Sequence, residues 1–253
     1  MGNPVDYVRQ AASEGCSGLG ISDHCPYPDD GVWSGSRMSV AGIPRYLEMV
    51  RSGRAEATFP FFWGFECEWY PAYEHWYRDY LRAELGAEYL VYGAHWVNDN
   101  GEFWYIPDVH DKPLLRRYTD LTIQGLDSGL YDLFAHPDLF LAGFPKMDED
   151  VRSVCAEIID AAVANGIPME INGLGLRKSM VRGDQGMRPP YPVREFWEMA
   201  AERGACIVCC SDAHRIEDVL DGTRESLAFA ESIGVQTIDA VTALALVPKA
   251  VQL

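Results

Sequence analysis

Positive charge is scarce in this 253-residue sequence: 21 Lys and Arg stand against 38 Asp and Glu, for a formal net charge of −17. A surface of that sign excludes general nucleic-acid binding, which needs a basic face. An anionic ligand would have to be met by cations placed locally. Long apolar runs are missing too, since no stretch approaches the ~20 residues that span a bilayer. The opening "MGNPVDYVRQ" has no basic-then-apolar signal pattern, and it carries Asp6 where a myristoylation signal wants Ser or Thr. These absences point to the cytoplasm. The seven cysteines are odd in number and scattered, which fits reduced thiols rather than a disulfide framework. "CIVCC" (Cys206–Cys210) lacks a second pair for a zinc site, and its Ile and Val suit a buried strand.

Low-complexity tracts, linkers and short exact repeats are also lacking. A hydrophobic share of 48% is enough for a real core, and the length suits one α/β barrel domain over residues 1–253. What recurs is a strand-then-helix rhythm. Short apolar runs predict strands at Gly18–Ser22, Pro60–Glu66, Tyr89–His95, Tyr131–His136, Ile167–Asn172 and Cys206–Asp212. Helical periodicity fills the intervals Ile43–Arg51, Tyr73–Leu85, Leu114–Ser128, Glu149–Asn165 and Val193–Arg203. Gly166 and Gly204 supply stops after two of these helices. Such a series implies a parallel sheet wound with helices, open or closed into a barrel.

The residues that end the strands form a pattern of their own: His24, Glu66, His95, His136, Asn172, and Asp212 with His214. In a parallel barrel all of these lie at the C-terminal rim, where barrel enzymes place their chemistry. Of only six histidines, four fall there. One such histidine would pass for an ordinary half-buried side chain; four, joined by Glu66 and Asp212, would not. Imidazole and carboxylate together suit zinc, iron or manganese, and several converging ligands can hold more than one ion. His75 and His110 sit in polar stretches and are expected to be solvated.

Seven short motifs carry a family resemblance: "SDH" (Ser22–His24), "RMS" (Arg37–Ser39), "GFECEWYP" (Gly64–Pro71), "GAHWV" (Gly93–Val97), "AHPDL" (Ala135–Leu139), "EINGLGLRK" (Glu170–Lys178) and "SDAH" (Ser211–His214). In that order the chain, from Asn3 to about Asp218, resembles the polymerase-and-histidinol-phosphatase (PHP) family, and within it the histidinol-phosphate phosphatases. The resemblance implies a distorted seven-stranded (β/α) barrel with two or three divalent ions at its rim. It implies His24, Glu66, His95, His136, Asp212 and His214 as ligands. It puts Glu66, Asp212 and His214 at the chemistry, Arg177, Lys178 and Arg37 near the substrate, and Asp23 and Asp138 beside the ligand imidazoles. The implied reaction is hydrolysis of a small phosphate monoester, histidinol phosphate in histidine biosynthesis, with a nucleotide or sugar phosphate as the alternative. The expected partner is that small phosphorylated substrate, and neither nucleic acid nor a membrane is expected.

One departure accompanies these matches. The family opens on a strand carrying His-x-His, with a further ligand in the next loop, and neither is in this sequence. Here Asn3 and Pro4 open a helix at once. The first strand of the barrel is therefore expected to be missing, leaving a sheet edge uncovered and fewer ligands for the ions. The completeness of the other motifs favours a start that lies upstream of Met1, and a non-catalytic metal-binding or scaffold protein is the rival reading that the departure supports.

Overall fold

The computed structural model describes residues 2–29 and 36–245. The helix expected at the start is α1 (Pro4–Ser13), with the Asn3 side chain accepting from the Val5 N–H at 3.2 Å. Six parallel strands follow in sheet order β1 (Leu19–His24), β2 (Phe61–Cys67), β3 (Tyr89–Gly93), β6 (Leu133–Ala135), β7 (Met169–Asn172) and β10 (Ile207–Cys210). All six were expected, to within a few residues at their ends. The helices between them are α2 (Ile43–Glu56), a π-helical segment (Trp76–Glu84), α3 (Lys112–Asp127), α4 (Glu149–Ala164) and α6 (Arg194–Glu202). Gly166 and Gly204 take left-handed φ values of 65° and 75°, ending α4 and α6 as their sequence positions suggest.

The strands from β2 to β10 are largely buried on both faces, the edge strand β1 exposes Gly20 and Ser22, and side chains sort by the pleat. In β2, Phe61, Trp63, Phe65 and Cys67 face the helix-side core, while Phe62 belongs to a second, inner cluster. That inner cluster joins Phe62, Tyr89, Val91, Leu133 and Ala135 to Val208 on the far edge strand. The cluster passes from β6 to Val208 on β10 with no member on the intervening β7, so this face is concave and the architecture is a parallel half barrel. Its two edges, β1 and β10, have one strand neighbour each among the described residues. A short helix, α8 (Ala240–Ala243), packs against the inner cluster through Ala240, Val241 and Ala243. This segment touches both edges: the Ile238 N–H donates to the Ile207 carbonyl at 2.9 Å, and Val241 lies against Gly18.

Two hairpins were not expected. β4 (Trp96–Asp99) pairs antiparallel with β5 (Glu102–Tyr105) directly after His95, and β8 (Val181–Gly183) pairs with β9 (Gly186–Arg188). The first had a visible signal in Asn100–Gly101, whose φ values of 53° and 90° make the tight turn. Between β7 and these later elements lies α5 (Gly173–Leu176), and α7 (Asp218–Ser232) follows β10. Among the described residues no helix is long and apolar enough to cross a membrane.

Candidate metal centre

Glu66 stands on the same face of β2 as Phe62, so its carboxylate enters the half barrel rather than the helix layer. Three imidazoles surround it. His24 Nε2 lies 3.5 Å from Oε2, His95 Nε2 3.4 Å from Oε1, and His136 Nε2 3.1 Å from Oε1. The His24 and His95 rings stack at 5.4 Å, and the His95 and His136 centroids are 4.7 Å apart. Ligand atoms of His24, Glu66 and His95 all fall within 4.8 Å of one another. Gly93 makes the approach possible, because a methyl group there would sit 2.6 Å from His95 Cε1 and 2.8 Å from the Glu66 carboxyl carbon.

His136 is the residue that strict alternation would have sent the wrong way. Leu133 and Ala135 face inward, so the next residue should face the helices. A left-handed φ of 32° at His136 breaks the pleat and returns the ring to the rim. Asp212 takes a similar backbone, with φ of 49°. Such conformations cost about 1–3 kcal/mol each and persist where the surroundings enforce them.

A second network continues from His136. Its N–H donates to Glu170 Oε2 at 3.1 Å, and Asn172 Nδ2 bridges Glu170 at 2.9 Å and Asp212 at 3.0 Å. Asp212 thus joins the site through Asn172. Among the described residues His214 bonds Asp212, its Nδ1 3.0 Å from the Asp212 carbonyl, and its side chain is 60% exposed.

The electrostatics follow from burial and these contacts. Burial alone would raise the Glu66 carboxyl, but the imidazoles of His95, His136 and His24 hold it well below the usual range. Burial alone would lower His136, yet the hydrogen bond and charge of Glu66 push it up to about 9. His24 is lowered by its burial. Glu170, buried beside Asp212, is raised to about 7.

The donor set suits a divalent ion. It combines imidazole nitrogens with a carboxylate, the chemistry that zinc, manganese and iron share. Among the described residues, Nδ1 of His24 and of His136 is buried with no hydrogen-bond partner, so neither ring is tied to a neighbour on that side.

The other expected residues are placed as follows. Asp23 accepts from the His24 N–H at 2.8 Å, and its neighbour Tyr46 on α2 marks the helix side of the sheet. Asp138 is buried and accepts from the Val193 N–H at 2.6 Å and Trp197 Nε1 at 3.1 Å, so among the described residues its side chain bonds α6 and its approach and no imidazole. Arg177, on the turn after α5, is engaged by Glu225 at 2.7 Å and by Asp218, both on α7, and Lys178 beside it is exposed. Arg37 is buried against Glu68 at 2.9 Å. His75 is 95% exposed against Asp79, and His110 bonds the Gly143 carbonyl at 2.7 Å. Sequence reasoning missed Glu68, Glu170 and the bridging role of Asn172, although all three lie inside quoted motifs.

Known proteins resemble this chain in sequence and in fold. The PHP domain family model matches residues 1–173. A protein of Deinococcus radiodurans named a probable histidinol-phosphatase is 27% identical over 252 residues, covering 94% of this chain and 90% of that one. The histidinol phosphate phosphatase of Lactococcus lactis, solved with zinc, L-histidinol and phosphate, superposes with a TM-score of 0.69 at 13% identity, over 92% of this chain and 88% of that chain. A chain of an archaeal ribonuclease P with mature tRNA also superposes, with a TM-score of 0.52 at 12% identity, over 92% of this chain and 84% of that one. Fold similarity alone therefore does not fix the activity. Because the family model spans more than half of its length, this chain belongs to the PHP domain family.

Proposed function

We propose that this chain is a metal-dependent phosphoesterase hydrolysing a small phosphate monoester, with histidinol phosphate giving histidinol and phosphate. The observation that carries the reading is the convergence of His24, His95 and His136 on the one carboxylate of Glu66 at the rim of a parallel sheet. The near full-length relative named as a histidinol-phosphatase supports the substrate. Zinc in the Lactococcus lactis structure supports the ion class, with manganese and iron compatible with the same donors.

His24, Glu66, His95, His136, Asp212 and His214 are the residues that would hold the ions. Divalent ions there would neutralise charge on the phosphoryl oxygens and bring water close to deprotonation near neutral pH. The chain's own work is to present donors. Each ligand imidazole offers one lone pair, Glu66 offers two oxygens, and Asn172 holds Asp212 at hydrogen-bonding distance. Arg177 and Lys178 are the cations proposed for the phosphate, and Arg177 would exchange Glu225 and Asp218 for it. A guanidinium fork matches a pair of phosphate oxygens.

Residues 1–253 are proposed to form one domain working in the cytoplasm. The gap between β1 and β10, spanned by Ile238–Leu244, is proposed as the position of the barrel's seventh strand, which the family's opening segment supplies.

The test is phosphate release from histidinol phosphate, a nucleotide and a sugar phosphate by chain loaded with manganese or zinc. Release from histidinol phosphate that stops on chelation is expected. Turnover confined to another phosphate would redirect the substrate, and a rate that chelation leaves untouched would end the metal reading.

A further inference from the structure

Glu68 follows β2 and is almost wholly withdrawn from solvent, with 3% of its side chain exposed. Its Oε1 lies 2.8 Å from His95 Nδ1, and its Oε2 accepts from the His95 N–H at 3.0 Å. Both the ring and the backbone of His95 are thus held by one carboxylate. Arg37 Nη2 donates to Glu68 Oε1 at 2.9 Å from a side chain that is itself 4% exposed. Its guanidinium lies 5.4 Å from the centre of the Tyr27 ring. The Glu68 backbone is clamped as well: its N–H donates to Tyr27 Oη at 3.0 Å, and its carbonyl accepts from Tyr131 Oη at 2.9 Å.

A buried ion pair alone would say little, since desolvation cancels much of its attraction. The third partner changes the meaning. A neutral imidazole has one ring proton, and a carboxylate at Nδ1 fixes that proton there, leaving the lone pair on Nε2. Nε2 is the atom that faces Glu66, at 3.4 Å. Arg37 balances the carboxylate's charge and fills a second of its lone-pair directions.

We propose that Glu68 is a positioning residue for the metal centre, fixing the tautomer and ring angle of His95 so that Nε2 is its metal-facing atom. Arg37 acts through Glu68 instead of touching the substrate phosphate. The inference rests on the metal-centre reading above and deepens it.

Cobalt(II) titration of the metal-free full chain, followed by visible absorption, tests it apart from turnover. Glu68→Gln is expected to bind cobalt roughly 10–100-fold more weakly with altered bands, with a far-ultraviolet dichroism spectrum like wild type and a melting temperature lowered by the buried Arg37 charge it leaves unpaired. Arg37→Met is expected to shift affinity in the same direction, and Arg37→Lys to recover part of the loss. At saturating metal, Arg37→Met should leave inhibition by inorganic phosphate unchanged. Two-bond nitrogen–proton spectra of zinc-loaded wild type, with His95→Gln assigning the ring, should find the His95 proton on Nδ1. This last measurement decides the matter if Glu68→Gln does not fold. Wild-type cobalt affinity in both Glu68→Gln and Arg37→Met would overturn the inference. So would a His95 proton on Nε2, or weakened phosphate inhibition at unchanged metal affinity in Arg37→Met. A wild-type chain that takes up no cobalt removes the metal centre itself, and this inference with it.

Discussion

Gly93→Ala is the smallest change that should take this site apart. The methyl group would sit 2.6 Å from His95 Cε1 and 2.8 Å from the Glu66 carboxyl carbon, and closer still to Glu66 Oε1. Ordinary contact between such atoms needs roughly 3.5 Å, so the ring must retreat by most of an ångström and the carboxylate by at least as much. Neither has a free direction. Glu66 is flanked by Nε2 of His24, His95 and His136 at 3.5, 3.4 and 3.1 Å, and His95 is tied at Nδ1 to Glu68 at 2.8 Å. Overpacking a tight interior costs about 1–3 kcal/mol, and losing one charge-assisted hydrogen bond such as that to His136 costs about 1.5–3 kcal/mol. Both figures bear on folding; for the ion, a ligand atom displaced by most of an ångström no longer converges with its neighbours, and zinc affinity should fall at least about tenfold, about 1.4 kcal/mol. The assay is calorimetric titration of metal-free protein with zinc, beside thermal melting. Gly42→Ala is the control, since a methyl there meets nothing nearer than 3.6 Å. If Gly93→Ala binds zinc and melts like wild type, the close packing of Glu66 against Gly93 is not what shapes the site.

Three further outcomes follow from the same structure. His95→Ala or Asp212→Ala should cut phosphate release by about a hundredfold or more, equivalent to at least about 2.7 kcal/mol of transition-state stabilisation, with a far-ultraviolet dichroism spectrum like wild type; full turnover in both would remove them from the site. Burial holds the Asp138 carboxyl at about 6, against about 3.9 for an unfolded aspartate. The folded state therefore keeps this proton longer than the unfolded one, so its contribution is complete below about pH 4 and is lost as pH rises through about 6. The loss is about 2–3 kcal/mol. Asp138→Asn, whose amide oxygen can still accept from Val193 and Trp197, should gain stability relative to wild type between pH 4 and 7 in urea unfolding of metal-free protein, and a constant difference across that range would refute the assignment. Val241→Asp sets an unpaired carboxylate against the inner cluster beside Gly18 and should destabilise by about 1–3 kcal/mol; an unchanged melting temperature would mean that α8 is not needed to cover the inner face.

The sequence by itself determined the strands and the rim. Apolar runs such as "PFFWGFE" and "YLVYGAH" bounded by helical stretches are local signals, and the strand-ending residues His24, Glu66, His95, His136 and Asp212 can be found by inspection. Parallel winding then brings those ends to one face, because every strand runs the same way. Only the tertiary structure decided which side chains meet there. Glu68 reaches His95 across 27 residues, Asn172 reaches Asp212 across 40, and Arg177 meets Glu225 across 48. Such pairs depend on register between strands and on where helices dock, and no local period encodes either. His136 makes the limit plain. Counting alternate residues sends its ring to the helices, and a single left-handed φ, enforced by the packing around it, brings the ring back to Glu66. The use of α8 to cover the inner face is likewise a matter of packing, since a short Ala- and Val-bearing stretch suits many surfaces and only the curled sheet selects one.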